Sequence, residues 1–137
     1  MNEPTQLTIC LMDPPFESAR STTAMRLMSI CATRGYRVHV FAYEGAVALP
    51  FVAQTAHANA VHGHDAEQEN HPLPHVWVRE LMALAKRNGG ALNWINCGLC
   101  VDERGVHDAV EGVRRGTPAD LFACAKASDN TLIIPTR

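Results

Sequence analysis

Two cysteines separated by two residues, Cys97-Gly98-Leu99-Cys100, carry the sharpest chemical signal in the chain. They follow an apolar run, residues 91–96 (ALNWIN), and precede Arg104-Gly105. That arrangement predicts a strand delivering Cys97 to the start of a helix. The first turn of a helix has unpaired N–H groups and the positive end of the backbone dipole. Both favour a thiolate, the reactive form of cysteine. By itself the pair fits dithiol redox chemistry, sulfur carriage or metal binding. A thioredoxin-type site is the weaker match, because its CxxC opens a long helix with a flanking pattern of its own.

A second group of reactive side chains lies upstream. His57, His62, His64, His71 and His75, with Asp65, Glu67 and Glu69, crowd into one polar stretch. Zinc favours imidazole and thiolate in a tetrahedral set that Cys97 and Cys100 could complete, but the spacing matches no closed zinc pattern. The same stretch also reads as a solvated loop whose histidines bond locally, or as a lid. In the lid reading His62 and His64 fold over Cys97 and accept its proton or stabilise its thiolate. Asp13 reads as a site acid or as a loop cap. Arg104 reads as a partner for an anionic sulfur or a carboxylate, or as a helix-end residue bonding the last carbonyls. Cys10, Cys31 and Cys124 sit in apolar patterns that predict packing, and Trp77 reads as core or subunit interface. No glycine-rich phosphate loop or dinucleotide fingerprint is present, so no cofactor is expected.

The elements that must position these groups follow from periodicity and punctuation. Residues 7–12 (LTICLM) predict a buried strand, ended by Asp13-Pro14-Pro15. Ser21 or Thr22 is expected to cap a helix with the stripe Ala24, Leu27, Met28 and Cys31, stopped at Gly35. Residues 36–43 (YRVHVFAY) predict the second strand, bounded by Glu44-Gly45. Residues 46–56 predict a helix despite Pro50, and residues 57–74 a loop longer than a compact domain normally carries. A helix follows with Trp77, Leu81, Leu84 and Ala85 on one face, ending at Gly89-Gly90, and then comes the strand of residues 91–96. Val106, Ala109, Val110 and Val113 have the spacing of a short or broken helix. Thr117-Pro118-Ala119-Asp120 starts a further helix with a capping hydroxyl and an early proline. Residues 131–134 (TLII) close the chain as a strand. Alternating strands and helices imply right-handed crossovers and a parallel sheet covered on both faces. Sites in such sheets gather at the C-terminal strand ends, where the Asp13 loop, the Glu44-Gly45 turn and Cys97 would share one edge.

Length and composition set the bounds. A chain of 137 residues predicts a single domain, 1–137, able to bury a core without disulfides or metal. A net charge of -2 argues against a nucleic-acid partner. No run is long enough to span a bilayer, and the polar first residues lack an export signal. Five cysteines, an odd number in no disulfide framework, fit the reducing cytoplasm.

Four patches in order carry a wider likeness: Asp13-Pro14-Pro15-Phe16 with Ala24-Met25-Arg26-Leu27; Val40-Phe41 through Glu44-Gly45-Ala46-Val47; Cys97-Gly98-Leu99-Cys100 with Arg104-Gly105; and Glu111-Gly112-Val113, Gly116, Leu121 and residues 129–133. Through them the chain resembles the DsrE/DsrF-like family of small sulfur-relay proteins over nearly its whole length. The resemblance implies a three-layer α/β/α sandwich with a mainly parallel sheet of about five strands, assembled into homo-oligomers, commonly trimers or hexamers. It implies that Cys97, by its distance from Arg104-Gly105, accepts a persulfide and passes the sulfane sulfur on, as a sulfurtransferase-like carrier. Cys100 then reads either as a thiol that resolves Cys97 through a disulfide or as a packing residue. The implied partners are sulfur donor and acceptor proteins or small thiol persulfides. The competing expectation is a non-enzymatic oligomeric binding or assembly protein of the same fold, whose cysteines are structural and whose His-rich loop holds a metal or a partner chain.

Overall fold

The computed structural model describes residues 3–136; residues 1 and 2, which head the polar stretch without an export signal, and residue 137 lie outside it. Strand β1 (Gln6–Leu11) leads through the Asp13 loop to α1 (Ala19–Thr33), then β2 (Arg37–Ala42) and a short 3-10 helix (Glu44–Ala48). After a long loop come α2 (Pro74–Arg87), β3 (Ala91–Cys97), α3 (Gly98–Arg104), β4 (Arg114–Gly116), α4 (Pro118–Ala127) and β5 (Asn130–Ile134). The strands form one sheet in the order β4-β3-β2-β1-β5, parallel at every pairing. The chain therefore steps outward from β1 to β4 and then crosses back to lay β5 on the far side of β1.

Strand alternation splits the core in two, because successive side chains point to opposite faces. Ile9, Leu11, Val38, Val40, Leu92 and Trp94 pack under α1 and α2 with Met25, Met28, Val78 and Leu81. Cys10, Phe41, Ile95 and Cys97 face the other way, against Cys100 and Val101 of α3 and Leu121 and Cys124 of α4. The result is the expected α/β/α sandwich with a five-stranded sheet. No helix among the described residues is long and apolar enough to cross a membrane.

Three local expectations are corrected, and one strand is added to them. Helix α1 is capped by Ser18, whose side chain accepts from the Arg20 N–H at 3.2 Å, while Ser21 is buried one turn in and donates to the Asp13 carbonyl at 2.9 Å. The helix expected over residues 46–56 is only the 3-10 helix Glu44–Ala48. The helix expected around Val106 to Val113 does not form. Both failures have one cause: the Val52 N–H bonds the Asp108 carbonyl at 2.8 Å and the Val110 N–H bonds the Pro50 carbonyl at 3.0 Å, an antiparallel pairing that takes these groups from any helix. Strand β4 lies in an Arg-Arg-Gly stretch with no apolar pattern, and exists by pairing with the end of β3.

Candidate functional site

Cys97 is the last residue of β3 and Cys100 lies in the first turn of α3. Both are buried, at 7% and 9% exposure, whereas Leu99 between them is 73% exposed. Cys97 nevertheless lines a cleft of about 410 Å³ with Gly98, Leu99, Arg115, Gly116, Thr117 and Pro118. The parallel pairing of Cys97 with Gly116 brings the start of α4 beside the sulfur.

Arg115 supplies the positive charge of this cleft. Its guanidinium donates to both Asp102 oxygens, at 3.0 and 2.9 Å, and to the Gly98 carbonyl at 3.1 Å. The Asp102 carboxylate is the main influence that raises the Arg115 pKa, and the charge of Cys97 adds to it. Gly98 permits this approach, since a Cβ there would lie 3.1 Å from Arg115 Nη2.

Cys100 differs from Cys97. Its sulfur accepts from the Glu44 N–H at 3.2 Å, under the 3-10 helix. Burial pushes the Cys100 thiol up, the Glu44 N–H opposes this, and a hydrogen bond with Cys97 further favours the protonated form. Among the other cysteines, burial raises Cys10 to about 11, against an opposing hydrogen bond from Tyr43, and also raises Cys31 and Cys124.

Arg104 reaches the Glu44 carboxylate at 2.9 Å and the Glu103 carboxylate at 3.4 Å. Gly105 at φ 66° ends α3 in the left-handed conformation that glycine adopts freely. Asp13 is buried, accepts the Ser18 hydroxyl and lies 3.7 Å from Arg20 Nη1. It fastens the loop to the start of α1. Asp13, Glu44 and Arg104 line a second cleft at this edge of the sheet.

The histidines gather elsewhere. His62 Nε2 lies 2.7 Å from Glu69 Oε1, and His71 Nε2 lies 3.1 Å from Glu69 Oε2. His57 and His71 line a cavity with His64, Phe16 and Trp77. His57 packs against Phe16 at 5.9 Å between ring centres, and His75 bonds Gln54 at 2.8 Å. The structure therefore brings His62 and His64 to Glu69 rather than to the sulfurs, and the segment expected as a lid borders the α1–α2 side. Of the expected metal ligands, His62 and His64 converge with Glu69, their ligand atoms within 4.8 Å of one another. His57, His75, Cys97 and Cys100 stand outside that group.

Arg115, Thr117 and the Glu44 N–H are the site features that sequence reasoning missed. A usable signal was present for two of them. Arg114-Arg115-Gly116 runs straight into Thr117-Pro118, a helix start, and that marks another strand end on the edge that holds Cys97.

Three comparisons bear on this geometry. The model of the DsrE/DsrF-like family matches residues 5–133. No curated protein matches. Eight chains of solved structures match. One is the ychN protein from E. coli, 16% identical, covering 94% of this chain and 98% of that one with a TM-score of 0.71. At that identity the likeness is one of fold.

Proposed function

The chain belongs to the DsrE/DsrF-like family, and from that premise we propose that it is a sulfur-relay protein carrying sulfane sulfur as a persulfide on Cys97. The observation that carries this reading is the setting of Cys97: a sheltered sulfur that borders an open cleft beside the Arg115 cation. A thiolate there attacks the outer sulfur of a donor persulfide R–S–SH. The S–S bond of Cys97–S–SH forms, the S–S bond of the donor breaks, and R–S⁻ leaves with the electron pair, so the exchange has no net oxidation or reduction. An acceptor thiolate then takes the outer sulfur and returns Cys97 to its thiolate. Arg115 offsets the negative charge on both sides of the exchange, and the Cys100 S–H hydrogen-bonds the Cys97 sulfur.

Exposed Leu99, at the mouth of the cleft, offers an apolar contact for a donor or acceptor protein. The edge strand β5 exposes Leu132 and Ile133, at 44% and 58%, and α4 exposes Phe122 at 70%, surfaces suited to homo-oligomer contacts. All five cysteines are free, in keeping with work in the reducing cytoplasm.

Intact-mass measurement after incubation with a sulfane-sulfur donor tests the proposal on wild type, Cys97→Ser and Cys100→Ser. Wild type and Cys100→Ser gain one sulfur atom and Cys97→Ser gains none. An adduct of equal yield in Cys97→Ser overturns the assignment.

A further inference from the structure

The loop before α2 contains neither helix nor strand between residues 57 and 73, yet it is closely bonded to itself and to the core. Buried Asn59 is its anchor: its amide donates to the Ser18 carbonyl at 3.1 Å, its side-chain oxygen accepts from the Val61 N–H at 2.8 Å, and its N–H meets the His64 carbonyl at 2.8 Å. Asp65 and Gln68 bond each other's backbone N–H groups with their side chains, at 2.9 and 3.0 Å. Arg26 of α1 holds the Glu69 carbonyl at 3.0 Å. Such a segment presents side chains in fixed positions rather than as a solvated tether.

We propose that His62, His64 and Glu69 form a binding site for a divalent transition-metal ion of the zinc class, with His71 as the positioning residue that holds Glu69. The ligand types suit this ion: two imidazoles and one carboxylate match a site with three protein ligands and a position left for water. Their donor atoms already lie within 4.8 Å of one another. An independent observation comes from His71, whose side chain is only 6% exposed and whose ring stacks on Trp77 at 4.8 Å. Its Nδ1 donates to the Pro72 carbonyl at 2.8 Å, an oxygen that can only accept. Its Nε2 lies 3.1 Å from Glu69 Oε2, so the buried ring fixes where that carboxylate points.

The ion enters at a stated cost. His62 Nδ1 now accepts from the His64 N–H at 3.0 Å, which leaves its ring proton on Nε2, facing Glu69. Coordination through Nε2 moves that proton to Nδ1 and frees the His64 N–H, an exposed group that finds water instead. The site stands independently of the sulfur reading, because none of its ligands touches Cys97 or Cys100.

Cobalt(II) titration followed by absorption, and zinc dialysis, both on protein without an affinity tag, test the proposal. One ion per chain is expected in wild type and equally in the Cys97→Ser/Cys100→Ser double variant, with no sulfur-to-cobalt charge-transfer band. His64→Ala and Glu69→Gln each weaken binding by at least about tenfold and His71→Gln by about 10- to 100-fold, while His57→Ala leaves it unchanged. Circular dichroism confirms that each variant is folded. No saturable binding by wild type, a sulfur charge-transfer band, or binding indifferent to both His64→Ala and Glu69→Gln overturns it.

Discussion

Replacing Asn96 by alanine probes how the edge of the sheet that bears Cys97 is held. Asn96 is polar yet 2% exposed. Its side-chain oxygen accepts from Trp94 Nε1 at 2.9 Å, and its amide donates to the Val47 carbonyl at 3.1 Å. Trp94 and Val47 are themselves 1% and 0% exposed, so neither finds water once the amide is gone. A buried donor or acceptor left unpaired costs about 1–3 kcal/mol. One of each gives an expected loss of about 2–5 kcal/mol, allowing for partial local relaxation. Asn93, exposed on the same strand, serves as the control, with a loss within about 0.5 kcal/mol for Asn93→Ala. Urea unfolding monitored by circular dichroism measures both, and an unchanged denaturant slope assigns the shift to stability. The loss has a local consequence too. Val47 belongs to the 3-10 helix whose Glu44 N–H covers the Cys100 sulfur. Asn96→Ala therefore also speeds alkylation of Cys100, read by peptide mass spectrometry. A loss below about 1 kcal/mol would refute the reasoning, since it means that the two orphaned groups find other partners.

Other perturbations test the site and the fold. Arg115→Gln removes the cation beside Cys97 and slows its alkylation at neutral pH by about two- to fivefold, the modest effect of an exposed, solvent-screened charge. An unchanged rate in stopped-assay mass spectrometry removes Arg115 from the mechanism. Gly116→Ala places a methyl group 2.5 Å from Ile95 Cγ2 and 2.7 Å from Asp120 Oδ2, and Asp120 caps α4 through the Thr117 N–H. The expected destabilisation is about 1–3 kcal/mol by urea titration, and a neutral result contradicts the tight approach of α4 to β3. Burial, with Arg37 and Arg114, holds His39 below its ordinary 6.5, and burial with Arg79 does the same for His75. The unfolded chain takes up these protons at the ordinary value. Their contribution to stability is therefore complete above about pH 6.5 and is lost as pH falls through that value toward the folded pKa. Stability falls on acidification from about pH 8 to about pH 5, and His39→Gln flattens the decline; a rise in stability over that interval contradicts the assignment.

Much of the fold was legible because its signals act over a few residues. The apolar runs of β1, β2 and β3 mark strands covered on both faces, that of β5 marks an edge strand, and their alternation with helices implies a parallel sheet. Gly35, at φ 72°, stops α1 where a left-handed residue was expected. The capping box of Thr117 and Asp120 begins α4 as the local pattern required. The failures were those where a distant partner decided the outcome. Spacing predicts a helix from Val106 to Val113, but Pro50 and Val52 claim that segment's backbone. Ser18 caps α1 because Asp13, from the preceding loop, binds its hydroxyl.

The candidate site divides along the same line. The sequence by itself determined that Cys97 ends a strand and that Cys100 follows within one helical turn, since both facts depend on residues 91–104 alone. Only the tertiary structure decided that the two sulfurs are inequivalent: Cys100 under the Glu44 N–H with its proton retained, Cys97 on the cleft beside Arg115. It also decided that His62 and His64 turn toward Glu69, away from the sulfurs. The physical reason is that charge and hydrogen bonding act through space over a few ångströms. The residues that meet at Cys97 are joined by the pairing of β3 with β4, a contact written in no local pattern.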